Sequence, residues 1–308
     1  MSLPGVIRPS SETFIGVVTV LYNSDDVLPD FFASLAAQER VRYRLYVIDN
    51  SAADSGLVIS RDLASRYGVD AIFIFNNANV GVAKGNNQGI EMALNDGCTH
   101  ILLANNDTAF APSTIASLVE TLRDSGDAAA TPKIMYHGEP ERIWYGGGHI
   151  NPWSMRTPHY GDMQLDRGQF DHLQYVGYAP TCFMLIRRDV FSRVGMMDED
   201  YFVYYDDTDF VWRFNQLGLR IRYVPQSVVL HKVSTSTGGG LSPFSLYYTN
   251  RNRVYFIRKN LKGVQRVAAM TYMLATRIPR LLFLPRKLSE RAWAGVRDGF
   301  RMNASKPA

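Results

Sequence analysis

Four short apolar runs that each end in polar residues constrain the fold of this chain most strongly. They span residues 14–21, 44–49, 71–75 and 100–104, and segments with helical spacing of apolar residues lie between them. Such alternation predicts βαβ units, whose parallel strands are apolar throughout because helices cover both faces of the sheet. We therefore predict an α/β fold with a mostly parallel, mixed central sheet flanked by helices.

The polar residues at the ends of these runs predict a ligand site. Ligands of open α/β sheets bind outside the carboxyl ends of the strands, so these side chains are expected to share one edge. Asp49 is suited to accept a hydrogen bond from the imide of a pyrimidine base, although an aspartate there also begins turns. The residues at the four strand ends are Tyr22, Asn23 and Ser24, then Asp49, Asn50 and Ser51, then Asn76 and Asn77, and finally Asn105, Asn106 and Asp107.

Asp107 is the predicted metal ligand at this edge. A hard divalent cation such as Mg²⁺ or Mn²⁺ prefers oxygen ligands and retains waters and phosphates, so one or two carboxylates suffice. The alternative is that Asn105, Asn106 and Asp107 cap a turn before the next helix. His231, at the end of a later apolar run, is suited to complete the metal shell, and Lys232 to neutralise a phosphate. A purely structural histidine is the alternative.

A glycine- and asparagine-rich segment precedes a predicted helix. Glycines let the backbone approach a diphosphate at a helix amino terminus, and a lysine there adds positive charge. The residues concerned are Asn79, Gly81, Lys84, Asn86 and Asn87. The chain has no G-x-G-x-x-G after its first strand and no G-x-x-x-x-G-K-[ST], which disfavours a dinucleotide oxidoreductase and a P-loop NTPase.

Three aspartates, Asp206, Asp207 and Asp209, lie within four residues and are followed by Trp212. Their mutual repulsion is costly unless a cation, a helix amino terminus or a function compensates for it. The cluster therefore indicates a second part of the site. The alternative is an acidic first turn of a helix, in which Asp209 pairs with Arg213 four residues later.

The end of the chain is strongly basic. Residues 251–308 contain 14 Lys or Arg and 2 acids and carry a net charge of +12, so residues 1–250 carry −8. A basic, partly amphipathic segment suits a membrane surface or nucleic acid, and a core-packing helix with a solvated basic face is the alternative. Because the rest of the chain is acidic, no nucleic-acid partner is predicted.

The number of cysteines and the length of the apolar stretches predict the cellular compartment of the protein. Cys98 and Cys182 are the only cysteines, so neither a disulfide framework nor a four-cysteine zinc site is available. The chain shows no signal-peptide pattern, and no uninterrupted apolar stretch reaches the roughly 18 residues of a membrane-spanning helix. We expect a cytoplasmic protein that is peripheral on the inner face of the membrane if the basic segment binds there.

The order and spacing of these segments resemble the inverting GT-A glycosyltransferases of family 2, particularly the rhamnosyltransferase-like branch that builds bacterial surface polysaccharides. The resemblance runs from about residue 14 to about residue 258. Its carriers are residues 20–24, 48–51, 79–87, 103–108, 204–209 and 231–234.

The resemblance implies three parts of the chain. A GT-A catalytic domain would span residues 1–240, with a nucleotide-sugar half at about 14–130 and an acceptor half at about 131–240. A Ser/Thr/Gly-rich loop at residues 234–240 would end it. Residues 241–308 would form a basic, helical C-terminal extension.

The resemblance also implies roles for single residues. Asp207 matches the catalytic base, Asp107 and His231 match metal ligands, and Asn105 replaces the first carboxylate of the family's usual Asp-x-Asp motif. The residues implied in nucleotide-sugar binding are Tyr22, Asn23, Asp49, Asn50, Asn79, Gly81, Lys84, Asn86, Asn87, Asn105 and Asn106. Those implied in acceptor binding or support are Asp206, Asp209, Tyr178, Trp212 and Lys232.

The implied activity is a metal-dependent, inverting sugar transfer in bacterial cell-surface polysaccharide synthesis. Within the family, the rhamnosyltransferase-like branch implies L-rhamnose as the sugar and dTDP-rhamnose as the donor. The partners would be a nucleoside-diphosphate sugar donor and a saccharide or lipid-linked acceptor. A family 2 enzyme that uses a UDP-sugar is one alternative. A sugar-nucleotide pyrophosphorylase is another, although residues 22–26 lack its glycine- and basic-rich loop. The oligomeric state stays open, with a homodimer as one alternative.

Overall fold

The first half of the chain is the predicted alternation of strands and helices. A computed structural model describes residues 13–233 and 242–304, with the backbone alone at residues 278–282. The predicted loop at residues 234–240 lies outside the described residues. In chain order the first elements are β1 (Phe14–Leu21), α1 (Leu28–Ala36), β2 (Arg42–Asp49), α2 (Ser55–Tyr67), β3 (Ala71–Phe75), α3 (Val82–Asn95) and β4 (His100–Ala104).

The second half of the described chain completes the sheet and ends in helices. Its elements are β5 (Thr108–Phe110), α4 (Thr114–Ser125), β6 (Ala129–Tyr136), β7 (Ile143–Tyr145), β8 (Tyr175–Val176), β9 (Phe183–Arg187), α5 (Arg188–Val194), α6 (Asp206–Gln216) and β10 (Ile221–His231). Three helices follow, α7 (Pro243–Asn260), α8 (Gly263–Leu282) and α9 (Arg286–Arg301).

The ten strands form one mixed sheet in the order β3-β2-β1-β4-β9-β6-β10-β5, with β7 beside β6 and β8 beside β10. Strands β1 to β4 are parallel neighbours, as is the pair β6 and β10. The mixed sheet flanked by helices is confirmed. Its parallel share is smaller than predicted, because β5, β7, β8 and β9 all pair antiparallel.

The second half departs from its sequence pattern in two places. Residues 175–186 form an apolar run in the sequence but not one element, because the segment between β8 and β9 leaves the sheet at Gly177 and Pro180. The sequence pattern predicts separate strands at residues 220–224 and 228–231, but these residues belong to one strand, β10. Its register against β6 shifts between Val224 and Val228, where Pro225 lacks an N–H for the ladder.

Pro279 and Pro285 predict two breaks in the helical stretch at the end of the chain, and one of these breaks is observed. Pro285 separates α8 from α9, which begins at the next residue. Pro279 lies inside α8, so the prediction that the helix breaks there is wrong. A proline removes one backbone donor, and here the helix continues for three more residues despite that loss.

Helix α7 is packed into the rest of the molecule. Val254, Tyr255 and Phe256 are buried in a second hydrophobic cluster together with Met155 and Tyr201, which come from the loops around the sheet. The predicted domain boundary at residue 240 stays a prediction, but the helix that follows it shares a hydrophobic cluster with the loops around the sheet. Burial of large apolar side chains stabilises by about 1.5–3 kcal/mol each, so this contact is substantial.

Several basic side chains after residue 250 bind groups of the protein itself. Lys259 contacts Asp198, and Arg258 donates to the carbonyls of Gly299 and Met302. This favours the core-packing alternative for α7, whereas membrane-surface binding by residues 251–308 stays a prediction. Across residues 13–233 and 242–304, no helix combines the length and apolar character that crossing a bilayer requires.

Candidate functional site

Two cavities that share part of their walls open at the sheet edge where β1, β2 and β4 end. The smaller has a volume of about 480 Å³ and the larger a volume of about 980 Å³. Val82, Asn105 and Val203 line both cavities. Polar side chains therefore converge on cavities at the predicted edge.

The smaller cavity gathers most of the residues predicted to bind a nucleotide-sugar. Asn23, Asp49, Lys84 and Asn87 do not line it. Lys84 and Asn23 are exposed, and Asn23 contributes its backbone N–H to the Ser51 hydroxyl instead. The predicted residues that line the smaller cavity are Tyr22, Asn50, Asn79, Gly81, Asn86, Asn105, Asn106 and Asp107.

Asp49 is fully buried, directly precedes Asn50 of the smaller cavity, and keeps one unpaired oxygen. Its Oδ1 accepts a hydrogen bond from the backbone N–H of Ser51 at 2.8 Å. Its Oδ2 is buried and has no hydrogen-bond partner among the described residues. An unpaired buried acceptor costs about 1–3 kcal/mol, which favours a ligand donor at this position.

The amino terminus of α3 is fixed by a close backbone contact. An ideal Cβ on Gly81, whose φ is +90°, would lie 2.7 Å from the carbonyl oxygen of Phe202, so only glycine fits. Asn50 donates to the Gly81 carbonyl at 2.9 Å, and Asn79 accepts from the Gly81 N–H. The Val82 N–H donates to the Phe202 carbonyl. The predicted diphosphate segment therefore touches the loop that leads to α6.

Asn87 ties α3 to a distant segment. Its side-chain amide donates to the carbonyl of Met197 at 2.9 Å and accepts from the Met197 N–H at 3.0 Å. Both ends of the amide are therefore occupied by the protein. This position does not support the predicted contact of Asn87 with a donor, which leaves Asn86 as the asparagine at the cavity.

Asp107 and His231 form the candidate metal pair. The antiparallel pairing of β10 with β5 places His231 opposite Thr108, next to Asp107. His231 Nε2 lies 3.1 Å from Asp107 Oδ1, but the two are not aligned as a hydrogen bond, and Oδ1 and His231 Nδ1 are buried without partners in the described chain. Lys232 pairs with Asp30 at 2.6 Å and lines neither cavity.

The donor set fits a divalent cation that is shared with a ligand. A carboxylate oxygen and an imidazole nitrogen 3.1 Å apart can both contact one Mn²⁺ or Mg²⁺, and such ions often retain phosphates and waters. Within the described residues, no group of three or more His, Cys, Asp or Glu side chains is arranged to hold a metal by itself. Any cation here therefore needs ligand oxygens as well.

Asp207 is the second residue of α6 and lines the larger cavity. Its Oδ2 accepts from the Tyr178 hydroxyl at 2.5 Å, and its Oδ1 accepts from the backbone N–H of Thr208 at 2.6 Å. Burial is the main cause that raises the pKa of Tyr178 well above its usual value, so this hydroxyl remains a donor at neutral pH. Asp207 is thus oriented by two donors while its carboxylate faces the cavity.

The loop before Asp207 adopts an uncommon backbone conformation. Phe202, Tyr204 and Tyr205 have φ angles of 68°, 63° and 67°, in the left-handed region that side chains disfavour. Each such residue costs on the order of 1–3 kcal/mol and is retained where surrounding contacts enforce it. Asn252 of α7 supplies such contacts, because its amide donates to the carbonyls of residues 201, 203 and 204 at 2.7–2.8 Å.

Asp209 belongs to a buried ion network and lines neither cavity. It has no exposed surface, and it contacts Arg213 at 2.8 Å and Lys259 at 3.0 Å. Tyr201 and Asn260 also donate to it, at 3.0 and 2.8 Å. The pairing of Asp209 with Arg213, weighed as the alternative, is what the structure shows. Trp212 likewise packs on Phe256 instead of lining a cavity.

A family assignment follows from the sequence across this site. Residues 16–195, more than half of the chain, match the family described as Glycosyl transferase family 2. The chain belongs to glycosyltransferase family 2.

The family 2 assignment agrees with individual relatives. An N-acetylglucosaminyl-diphospho-decaprenol L-rhamnosyltransferase of Mycobacterium tuberculosis is 27% identical over 249 residues, which cover 72% of this chain and 77% of the relative. A dTDP-rhamnosyl transferase of Shigella flexneri is 24% identical over 253 residues, 80% of either chain. The predicted resemblance to rhamnosyltransferase-like members of family 2 is confirmed.

The fold agrees with that of solved glycosyltransferases. A mannosyltransferase of Pyrobaculum calidifontis, solved in complex with GDP-Man and Mn²⁺, matches with a TM-score of 0.57 at 14% identity. The match covers 96% of this chain and 77% of that one. The predicted GT-A fold is therefore confirmed for this family 2 glycosyltransferase.

Several residues of the larger cavity were missed by sequence reasoning. Trp144 lines it and packs edge-on against His231, with ring centroids 4.6 Å apart. The others come from the loop after β7 and from α7 and α8. A basic residue inside an otherwise apolar helical stretch was the available signal for Arg277 alone. They are Arg156, Arg253, Tyr272 and Arg277.

Asp206 is expected to make the stability of this glycosyltransferase fall as pH rises. Burial, and then the neighbouring Asp207 carboxylate, raises the pKa of Asp206 to about 8 from an ordinary value of 3.8. Between these two values the unfolded chain has released the proton and the folded chain has not. The contribution of Asp206 to the free energy of unfolding is therefore complete below about pH 4. It is lost as pH rises to about 8, by up to ~1.4 kcal/mol per pH unit.

The measurement is urea unfolding of the wild type and of Asp206→Asn at pH values from 5 to 8. The free energy of unfolding of Asp206→Asn is expected not to decrease with pH in this way. The stability of the variant relative to the wild type should therefore increase as pH rises. Asp189→Asn, at an exposed carboxylate on α5, is the control and should follow the wild type. Parallel curves for Asp206→Asn and the wild type would contradict the assignment.

Proposed function

We propose that this family 2 glycosyltransferase moves L-rhamnose from dTDP-rhamnose to a saccharide or lipid-linked saccharide acceptor, with inversion at the anomeric carbon. The observation that carries the proposal is the position of Asp207. It lines the larger cavity together with His231, while Asp107, 3.1 Å from His231, lines the smaller one. A base and a candidate metal pair thus face cavities with common walls, as a displacement reaction requires.

Asp207 is the general base of the proposed reaction. Its carboxylate accepts the proton of an acceptor hydroxyl while that oxygen attacks the anomeric carbon, and the bond from this carbon to the nucleoside diphosphate breaks on the opposite side. The single displacement inverts the anomeric centre and leaves the proton on Asp207. Tyr178 holds Oδ2 by a hydrogen bond, so the carboxylate presents a fixed direction to the acceptor.

Asp107 and His231 are the residues that would hold Mg²⁺ or Mn²⁺ beside the donor diphosphate. A bound divalent cation supplies positive charge that stabilises a departing diphosphate. The separation of 3.1 Å between Asp107 Oδ1 and His231 Nε2 supports this proposal, because one cation can contact both atoms. Asn106 donates to the Val20 carbonyl, so the neighbouring amide fixes the end of β4 against β1.

The proposed donor follows from the relatives and from Asp49. Thymine and uracil present the same imide N–H, and the unpaired Oδ2 of Asp49 is suited to accept it. The name of the Shigella flexneri relative specifies a dTDP-rhamnosyl donor, which favours dTDP-rhamnose over a UDP-sugar for this chain. The proposed acceptors are likewise taken from the Mycobacterium tuberculosis relative, whose name specifies a lipid-diphosphate-linked sugar.

A thermal-shift comparison of nucleotide-sugars tests the proposed donor and cation together. Ligand at 100 times its dissociation constant stabilises the folded state by about 2.7 kcal/mol. We expect dTDP-rhamnose with Mn²⁺ to raise the melting temperature more than UDP-sugars or GDP-mannose do.

The matched control for this measurement is Asp107→Ala. It is expected to lose the part of the shift that depends on Mn²⁺, which corresponds to at least a tenfold weaker donor affinity. The same shift in EDTA as in Mn²⁺ for the wild type would contradict metal use. An equal response to all nucleotides, or to none, would contradict the proposed donor.

A further inference from the structure

The larger cavity has a basic wall that the proposed transfer reaction does not use. Arg156 from the loop after β7, Arg253 from α7 and Arg277 from α8 all line it. None of the three lines the smaller cavity, where the donor is proposed to bind. Three guanidinium groups from three separate segments thus contribute to one cavity wall.

Arg253 is the most unusual of these residues. Its side chain is among the largest fully buried ones, at 1% exposure. Its Nη2 donates to the Ser154 carbonyl at 2.5 Å, but its Nε and Nη1 are buried and have no hydrogen-bond partner in the described chain. A buried guanidinium with unpaired donors is costly unless an anion pairs with it.

The neighbouring basic residues of α7 show that the fold supplies partners elsewhere. Arg251 donates to the carbonyls of Asp200 and Tyr201, and Lys259 pairs with Asp198 and Asp209. Arg253 forms no ion pair with any carboxylate of the described residues. On α7, Lys259 is therefore neutralised by carboxylates, whereas Arg253 at the cavity is not.

The three arginines lie around one phenol next to the catalytic loop. Burial raises the pKa of Tyr205, and the charges of Arg253, Arg277 and Arg156 each act against that rise. Tyr205 immediately precedes Asp206 and lines the same cavity. An anion bound by these arginines would therefore lie on the same side as the general base, in the part of the site that an acceptor occupies.

We propose that Arg156, Arg253 and Arg277 form a subsite for the phosphate or diphosphate of the acceptor, so that the enzyme glycosylates a sugar that is itself a glycosyl phosphate or diphosphate. The inference rests on the proposed function. Arginine suits this ligand because its planar fork binds two phosphate oxygens at once. The sugar end of the acceptor would then reach Asp207 while its diphosphate stays at the basic wall.

Transfer assays with three acceptors of one sugar test the subsite: a glycosyl diphosphate, a glycosyl monophosphate and a neutral glycoside. For the wild type we expect the lowest KM with the diphosphate. Arg253→Met and Arg156→Met are each expected to raise that KM about 10- to 100-fold, the loss of one or two charge-assisted hydrogen bonds, and to leave the KM of the neutral glycoside within about twofold. Arg253→Lys, which keeps the charge and loses the fork, should lie in between.

Arg156 is exposed, so Arg156→Met folds even if the buried Arg253→Met does not. The matched control is Arg291→Met on α9, which lines neither cavity and should leave every KM unchanged. Equal KM values for the charged and neutral acceptors, with transfer intact, would overturn the subsite and leave the proposed function standing. An absence of transfer to every acceptor would instead count against the proposed function.

A binding measurement separates the two proposals further. In EDTA and saturating dTDP, which occupies the donor site, inorganic pyrophosphate is expected to bind the wild type measurably by calorimetry and Arg156→Met at least tenfold more weakly. Equal binding to both proteins would contradict the subsite. Failure of dTDP to bind in a separate titration with Mn²⁺ and without pyrophosphate would contradict the proposed donor, whatever pyrophosphate does.

Discussion

Replacing Asp207 with asparagine is expected to lower kcat about 10²- to 10⁴-fold, the range typical for loss of a general base. Asparagine keeps the size of the side chain and can still accept from Tyr178, but it cannot take the proton of the acceptor hydroxyl. Because Asp207 lines the larger cavity and not the smaller one, the affinity for dTDP-rhamnose should stay within about twofold.

Steady-state transfer assays, with donor binding measured separately by calorimetry, check this expectation. The matched control is Asp189→Asn on α5, where an exposed carboxylate pairs with Arg187 far from both cavities. Its kcat should equal that of the wild type. A kcat of Asp207→Asn within a few-fold of the wild type would refute the assignment of Asp207 as the base.

Replacing Asp209 with alanine is expected to cost about 3–5 kcal/mol in the free energy of unfolding. The carboxylate is the common partner of Arg213 and Lys259, and it also accepts from Tyr201 and Asn260. Removing it leaves two cationic groups buried with fewer partners. The loss should release α7 from α6, because Lys259 and Asn260 belong to α7 and Asp209 belongs to α6.

Urea unfolding of Asp209→Ala measures this loss directly. Asp189→Ala removes a carboxylate from an exposed pair and should change the free energy of unfolding by no more than about 1 kcal/mol. A loss below about 1 kcal/mol for Asp209→Ala would show that the network contributes little. If the folded fraction of Asp209→Ala retains its KM for the acceptor, the residue acts through stability alone, as its place outside both cavities implies.

The different positions of Asp207 and Asp209 mark a limit of sequence reasoning. Successive residues of an α-helix are rotated by about 100°, so two residues two positions apart point to nearly opposite sides. The spacing of the three aspartates made the acidic cluster recognisable, and it also indicated the first turn of a helix. Which acid faces the cavity is decided by α7, whose Lys259 is 50 residues away from Asp209 and pairs with it.

The edge of the sheet was easier to predict. Each of the first strands is an apolar run with a polar end, so β1, β3 and β4 have the predicted bounds, and Asn105 and Tyr22 line cavities as expected. Contacts that join distant segments were not predictable in this way. The unpaired donors of Arg253 depend on the loop that carries Ser154, which lies 99 residues earlier in the chain.

The hydrogen bonds from Asn252 to the loop before Asp207 affect when the protein becomes active during its own synthesis. The amide reaches back to a carbonyl 48 residues earlier. At a translation rate of about 5–20 residues per second, that loop waits on the order of 2–10 s for the residue that secures its strained backbone. The polypeptide that has left the ribosome up to residue 240 therefore carries every strand of the sheet before the proposed base, Asp207, is held in place.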